Sequence, residues 1–131
     1  MSAKKAIYQT PVPSTAFSTE AVLCANEVRF GYQVDGSDRR SGLRFKRVRA
    51  TRTRAESACT AWHIDDVYDT LVEVENSPWV AQLQADTSDK QRKLGQNWVM
   101  HHYMIYLDSV GCFEFLAESW EALPEALGTW T

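Results

Sequence analysis

The sequence predicts an α+β fold, in which a mainly antiparallel β-sheet of five or six strands carries one or two short helices packed on one face. Several short segments alternate apolar and polar residues with a period of two, which is typical of half-buried strands. Glycine-containing turns separate some of these segments, and a clear helix-start signal lies between others. Because the chain has 131 residues, of which 44% are hydrophobic, we expect residues 1–131 to form a single domain around one core.

The N-terminal residues 1–19 predict an irregular segment or an edge strand. Pro11 and Pro13 each lack an amide donor and fix φ, so a long regular element does not fit there. Residues 20–27 fit either a helical turn or a strand. From about Asn26 the chain alternates, which predicts a half-buried strand. The apolar side chains of this strand are Val28, Phe30, Tyr32 and Val34.

Residues 43–54, with the sequence LRFKRVRATRTR, predict the return arm of a hairpin. The apolar positions change parity near Lys46 and Arg47, and a bulge at these two residues would restore one apolar face. Residues 39–54 carry eight basic side chains and no acid, whereas residues 55–131 carry thirteen acids and three bases. The fold therefore decides whether this basic stretch meets the acids.

The middle of the chain contains one ambiguous segment and one clear signal. Residues 64–75 fit a helix in their first half and a strand in their second. Enrichment in Val, Thr and Tyr favours a loop or a single helical turn to about Asp66, followed by a strand to Glu75. Whether residues 64–69 form helix or strand stays undecided. Ser77 as N-cap and Pro78 at the first helical position predict a short helix, followed by a solvated loop.

The last third of the chain predicts a hairpin around residues 108–111, where Gly111 is available for a positive φ. Both parities of residues 98–107 are apolar, so we expect a central strand that is covered on both faces. Residues 119–131 have helical spacing broken at Pro124, which predicts a loosely packed C-terminal segment.

The histidines and cysteines provide few signs of chemistry, because no CxxC or HExxH spacing is present. His101 and His102 are neighbours on a predicted strand, so they point to opposite faces and do not share one ion. We therefore expect neither a metal nor a cofactor. If the final hairpin closes with a four-residue loop, Glu118 faces His101, and this pair is a candidate site.

The basic stretch supplies the other candidate side chains for binding a ligand or partner. These are Arg44, Lys46, Arg47, Arg49, Arg52 and Arg54. As a functional surface they would form a ladder for phosphates or an acidic partner. As a structural feature they would be a solvated strand face, paired with Glu27, Glu56, Glu73 or Glu75. The formal net charge of −3 argues against a general polyanion binder.

Three functions follow from these patterns. Abundant aromatic residues, segregated charge and the lack of catalytic motifs predict a small non-enzymatic binding or accessory protein that acts through protein–protein contacts, as a homodimer. The alternatives are nucleic-acid or nucleotide binding through the basic stretch, and a small-ligand binder or enzyme with an aromatic pocket near His101 and Glu118. No run approaches roughly 20 apolar residues and the start carries no signal sequence, so we expect a cytoplasmic protein without membrane contact.

Overall fold

The computed structural model describes residues 3–10, 20–24, 26–33, 39–94, 99–107 and 110–127, and these form nine strands and two α-helices. The strands are β1 (Lys4–Gln9), β2 (Glu20–Cys24), β3 (Glu27–Gln33), β4 (Arg39–Lys46), β5 (Ala50–Ala55), β6 (Thr70–Val74), β7 (His101–Leu107), β8 (Gly111–Ala117) and β9 (Ser119–Leu127). The helices are α1 (Ala61–Ile64) and α2 (Pro78–Leu94). The predicted α+β class is confirmed.

The strands divide into two sheets rather than the single sheet that we expected. One has five strands in the order β1-β6-β7-β8-β5, and the other has four in the order β2-β3-β4-β9. The neighbouring strands within each sheet are antiparallel. Of the segment 20–27, which fits either a helical turn or a strand from sequence, residues 20–24 form β2 and pair with β3.

Residues 43–46 lie in β4, which is antiparallel to β3, so the predicted return arm is confirmed for this part of the basic stretch. The stretch then passes to the other sheet, so the predicted bulge at Lys46 and Arg47 within one arm is wrong. β4 ends at Lys46 and β5 begins at Ala50, with Arg47 between them at a φ of 51°. The Val48 amide donates to the Asn26 carbonyl at 2.6 Å, and the Arg49 amide donates to the Leu116 carbonyl at 2.8 Å. The change of parity therefore marks a change of sheet, with the connecting residues bonded to both sheets.

The inner faces of the two sheets meet in an aromatic core. Phe45 of β4 stacks on Phe115 of β8 with ring centroids 4.2 Å apart, and it lies 5.5 Å from the Tyr103 ring of β7. The predicted alternation of β3 is confirmed, because Val28 and Phe30 are buried in this core. Burial of aromatic side chains from both sheets stabilises their packing.

The outer face of the five-stranded sheet holds a second apolar cluster. Its buried members are Val67, Val72, Val74, Met104, Tyr106 and Cys112. Trp62 and Ile64 of the α1 segment pack against this cluster. Strand β7 lies between β6 and β8 and is buried on both faces, which confirms the prediction of a covered central strand.

Helix α2 begins at Pro78 as predicted but extends to Leu94, well beyond the short helix that we expected. The Val80 amide donates to the Ser77 hydroxyl oxygen at 3.3 Å, which is the N-cap interaction. The residues predicted to form a loop include Lys90, Gln91 and Arg92, which are good helix formers. Helix propensity therefore prolongs the element.

The segment interpreted as loosely packed with helical spacing is strand β9, which pairs with β4. The register between these strands shifts between Arg40 and Gly42, opposite the region of Pro124. A proline is tolerated at such an edge strand and irregularity, so it does not end the strand. Residues 128–131 lie outside the described part of the chain, as do residues 11–19 of the N-terminal segment, whose residues 4–9 form the edge strand β1.

No helix in the described ranges is both long and apolar enough to cross a lipid bilayer.

Candidate ligand-binding site

The predicted basic ladder is divided between the two sheets, and all of its side chains except that of Arg54 are seen in ion pairs with acids of the same chain. Arg44 on β4 forms ion pairs with Glu121 and, at 3.6 Å, with Glu27. Lys46 lies 3.8 Å from Glu121. These ion pairs support the interpretation of the basic stretch as a strand face that pairs with acids of the same chain. Glu121 was not among the acids that the sequence suggested as partners.

The junction between the sheets places two further arginines beside one acid. Arg47 lies 3.0 Å and Arg49 lies 3.7 Å from the Glu118 carboxylate. Farther along, on β5, Arg54 donates to the Ala58 carbonyl at 3.1 Å. Glu118 is thus a partner of arginines at the junction and does not contribute to a site with a histidine.

His101 and Glu118 are not brought together, so this predicted pair is wrong. The β7–β8 hairpin pairs Leu107 with Gly111 and His101 with Ala117, which places Glu118 one position too far along. The His101 ring instead lies 2.9 Å from the Glu73 carboxylate on β6.

A different histidine and glutamate meet on the outer face of the five-stranded sheet. The His102 Nε2 atom lies 2.7 Å from Glu114 Oε1, and the two side chains are 3% and 5% exposed. Arg52, directly opposite Glu114 on β5, donates to both carboxylate oxygens at 2.7 and 2.9 Å. Such a bidentate pair is geometrically specific as well as charge-assisted.

The Glu114 carboxylate is held in its ionised form. Burial raises the pKa of Glu114, but hydrogen bonds from His102 and Arg52 and the charge of Arg52 outweigh burial and lower this pKa to about 2. An ionised carboxylate only accepts hydrogen bonds, so the His102 Nε2–H donates to it. In the neutral ring the Nδ1 atom is then the acceptor.

Ser77 completes this arrangement from the start of helix α2. The Ser77 hydroxyl lies 2.7 Å from His102 Nδ1 and donates to it when the His102 ring is neutral, and the Ser77 oxygen accepts the Val80 amide. We call the connected side chains of Arg52, Glu114, His102 and Ser77 the polar network. It links β5, β8 and β7 to the N-terminus of α2.

A cavity of about 360 Å³ lies beside the polar network. Its aromatic and apolar walls are Trp62, Val74, Pro78 and Trp79. Its polar side chains are Arg52, Ser77, Gln82 and His102. The two tryptophans come from different helices and the polar network from the sheet and the helix start, so the cavity forms where these elements meet.

Cations hold both tryptophan rings of the cavity. The Arg52 guanidinium carbon lies 4.0 Å from the Trp79 ring centroid, and the Lys4 ammonium lies 4.1 Å from the Trp62 ring centroid. Lys4 also donates to the Trp62 and Asp65 carbonyls, and burial lowers the pKa of this lysine. The Trp79 ring meets the His102 ring edge to face at 5.2 Å. The walls are therefore positioned before any ligand arrives.

The sequence indicated only part of this site. Arg52 was among the predicted residues, and Ser77 was identified as a helix cap. His102 and Glu114 were missed because both parities of β7 are apolar, so no pattern showed which histidine faces which acid. The usable signal was the single acid within the otherwise apolar β8, since a buried acid requires a basic partner.

Comparison of the chain with protein-family models, with curated proteins and with solved structures found no match. Within the described ranges, no three His, Cys, Asp or Glu side chains are grouped so that they could hold a metal ion. The buried thiol of Cys112 is not an activated nucleophile, because burial raises its pKa to about 12.

Proposed function

We propose that the protein binds a small organic ligand that carries a planar ring and a carbonyl or carboxylate group, in the cavity between Trp62 and Trp79. The observation that supports this proposal is the Arg52 guanidinium at the cavity wall, tied to Glu114 on one side and stacked over Trp79 on the other. A donor fixed in this way beside aromatic walls is typical of a ligand site, where few polar groups set the orientation.

The donors of Arg52 determine the chemistry of the ligand. A guanidinium has five N–H groups, of which the Nε–H and one Nη2–H are used by Glu114. The remaining N–H groups are reachable, because the Arg52 side chain is 49% exposed. Since Glu114 compensates the charge of Arg52, the site favours one acceptor group over a polyanion, and the apolar walls favour a ring beside it.

Nucleic-acid binding is a weaker interpretation, because the arginines of the basic stretch pair with acids of the same chain. A homodimer, a protein partner and a cytoplasmic location stay predictions from composition.

The proposal is tested with benzoate and methyl benzoate as probes, by following the indole N–H signals of the protein in two-dimensional NMR. We expect both probes to shift two indole signals, which substitution of Trp62 and Trp79 by Phe assigns to these residues. The variant Arg52→Lys should bind about tenfold more weakly, because one Lys ammonium does not reproduce the fixed fork of Arg.

The matched control is Arg54→Lys, which changes the same residue type two positions along the same strand, outside the cavity lining. It should leave the affinity for both probes unchanged. Equal affinity of the wild type and the Arg52→Lys variant would contradict the proposed role of Arg52, and shifts of other indoles alone would contradict the proposed site.

A further inference from the structure

We propose that Ser77 is a nucleophile and that the cavity hydrolyses small aromatic esters, with His102 as the general base. This inference rests on ligand binding in the same cavity, as proposed above, and departs from the expectation of a non-enzymatic protein. It is carried by the chain of short hydrogen bonds from Ser77 through His102 to Glu114, in which Ser77 and His102 line the cavity.

The arrangement has the three roles that nucleophilic catalysis by serine requires. Ser77 lies within hydrogen-bond reach of the base at 2.7 Å, and Glu114 orients the base at 2.7 Å from the other ring nitrogen. The ionised Glu114 fixes the tautomer that leaves Nδ1 free to take a proton. Such a triad is recognised by geometry and roles, and here Nδ1 faces the serine and Nε2 faces the acid.

The helix cap does not prevent attack by Ser77. The Val80 amide occupies one lone pair of the hydroxyl oxygen, and with a neutral His102 ring the hydroxyl hydrogen is directed to Nδ1. A hydroxyl oxygen has two lone pairs, so the second remains for attack on a carbonyl carbon. The cap therefore orients the oxygen without using the electrons that react.

The cavity lining contains candidate donors for the developing negative charge. Pro78 has no N–H, so the first amide of helix α2 belongs to Trp79, in the turn where helical N–H groups lack an intrahelical acceptor. The Arg52 guanidinium, on the same cavity wall, supplies a second set of donors. These groups are the candidates for holding the ester oxygen as it becomes an oxyanion.

The reaction balances without a further reactant besides water. As Ser77 Oγ forms a bond to the ester carbonyl carbon, His102 Nδ1 takes the hydroxyl proton. The bond from carbon to the leaving alkoxide breaks, and His102 returns the proton to that alkoxide as the alcohol departs. Water then attacks the acyl-serine while His102 takes its proton, and the proton passes to Ser77 Oγ as the carboxylic acid leaves.

The test uses 4-nitrophenyl acetate as substrate, with intact-mass and peptide analysis of the acylated protein. We expect wild-type protein to form one acetyl-serine per chain, located at Ser77, and to release nitrophenol in a burst followed by slower turnover. The variant Ser77→Asn retains a good N-cap but has no nucleophile. The single variants Ser77→Asn and His102→Gln should each turn over the substrate about 100-fold more slowly than the wild type, or slower still.

Ser57→Ala is the matched control, because Ser57 is an exposed serine in the 3₁₀ turn Glu56–Ala58 and should leave turnover unchanged. Glu114 is a positioning residue, so Glu114→Gln should change the pH profile of the rate as well as its size. Acetylation elsewhere, or equal turnover by wild type and Ser77→Asn, overturns the inference. If the wild type binds benzoate but shows no hydrolysis that depends on Ser77, the proposed ligand site stands and only the catalytic inference fails. If the wild type does not bind benzoate, the proposed ligand-binding function fails as well.

Discussion

Replacing Glu114 by Gln should remove a large acid-sensitive contribution to the free energy of unfolding. The pKa of this carboxyl is lowered from an ordinary value of 4.5 to about 2, because His102 and Arg52 outweigh the effect of burial. A difference of this size between the folded and unfolded chain corresponds to about 3 kcal/mol at neutral pH. Removing one partner of a buried ion pair lowers the free energy of unfolding by a similar amount. We therefore expect Glu114→Gln to be about 3 kcal/mol less stable than the wild type at pH 7.

The sign of the pH dependence follows from the direction of the shift. Because the folded pKa of Glu114 lies below the unfolded one, the unfolded chain takes up its proton first as the pH falls. The stabilisation is complete above the unfolded pKa, at about pH 5, and it disappears as the pH falls through the folded pKa near 2. Wild type and Glu114→Gln should therefore approach each other in stability at acidic pH.

Urea unfolding at a series of pH values from 7 down to 3, followed by tryptophan fluorescence, measures this difference. Glu118→Gln is the control, since Glu118 is also an arginine-paired acid but its side chain is 30% exposed. We expect the control to change stability by less than about 1 kcal/mol at each pH. A wild-type to Glu114→Gln difference that stays constant from pH 7 to pH 3 would refute the coupling of Glu114 ionisation to folding.

Three further predictions concern packing and backbone. Gly111→Ala should lower the melting temperature by several degrees, because Gly111 has a φ of 142° and a new Cβ would lie 2.1 Å from the Arg54 carbonyl oxygen. An unchanged melting curve would contradict this prediction. Cys112, whose pKa burial raises to about 12, should resist Ellman's reagent at pH 8 while the half-buried Cys59 reacts, as mass mapping of labelled peptides will show. Phe45→Ala should cost about 3–5 kcal/mol in urea unfolding, since Phe45 is fully buried; a cost below about 1 kcal/mol would place it outside the core.

The elements that the sequence predicted well are those with strong local signals. Strand β3 follows from strict alternation, and the start of α2 follows from Ser77 and Pro78. Gly111 has the positive φ that the turn pattern indicated. Each of these signals acts over a few residues, so no knowledge of distant partners is required.

The elements that the sequence predicted wrongly depend on pairing with strands that are distant in the chain. Strand β9 exists because β4 offers a free edge, and propensity around Pro124 does not reveal that edge. The change of sheet between Lys46 and Ala50 has the same parity signature as a bulge within one strand. Local pattern could not distinguish these cases, since each is decided by the strand that lies alongside.

The candidate site depends on one residue of register in the β7–β8 hairpin. A shift by one position would turn Glu114 from the outer face to the inner face, beside Tyr103 and Ile105 in the aromatic core. An ionised carboxylate without a basic partner is costly there. In the observed register Glu114 lies opposite Arg52 and within reach of His102, so satisfying this one buried charge favours the register that also brings His102 to Ser77 and the cavity.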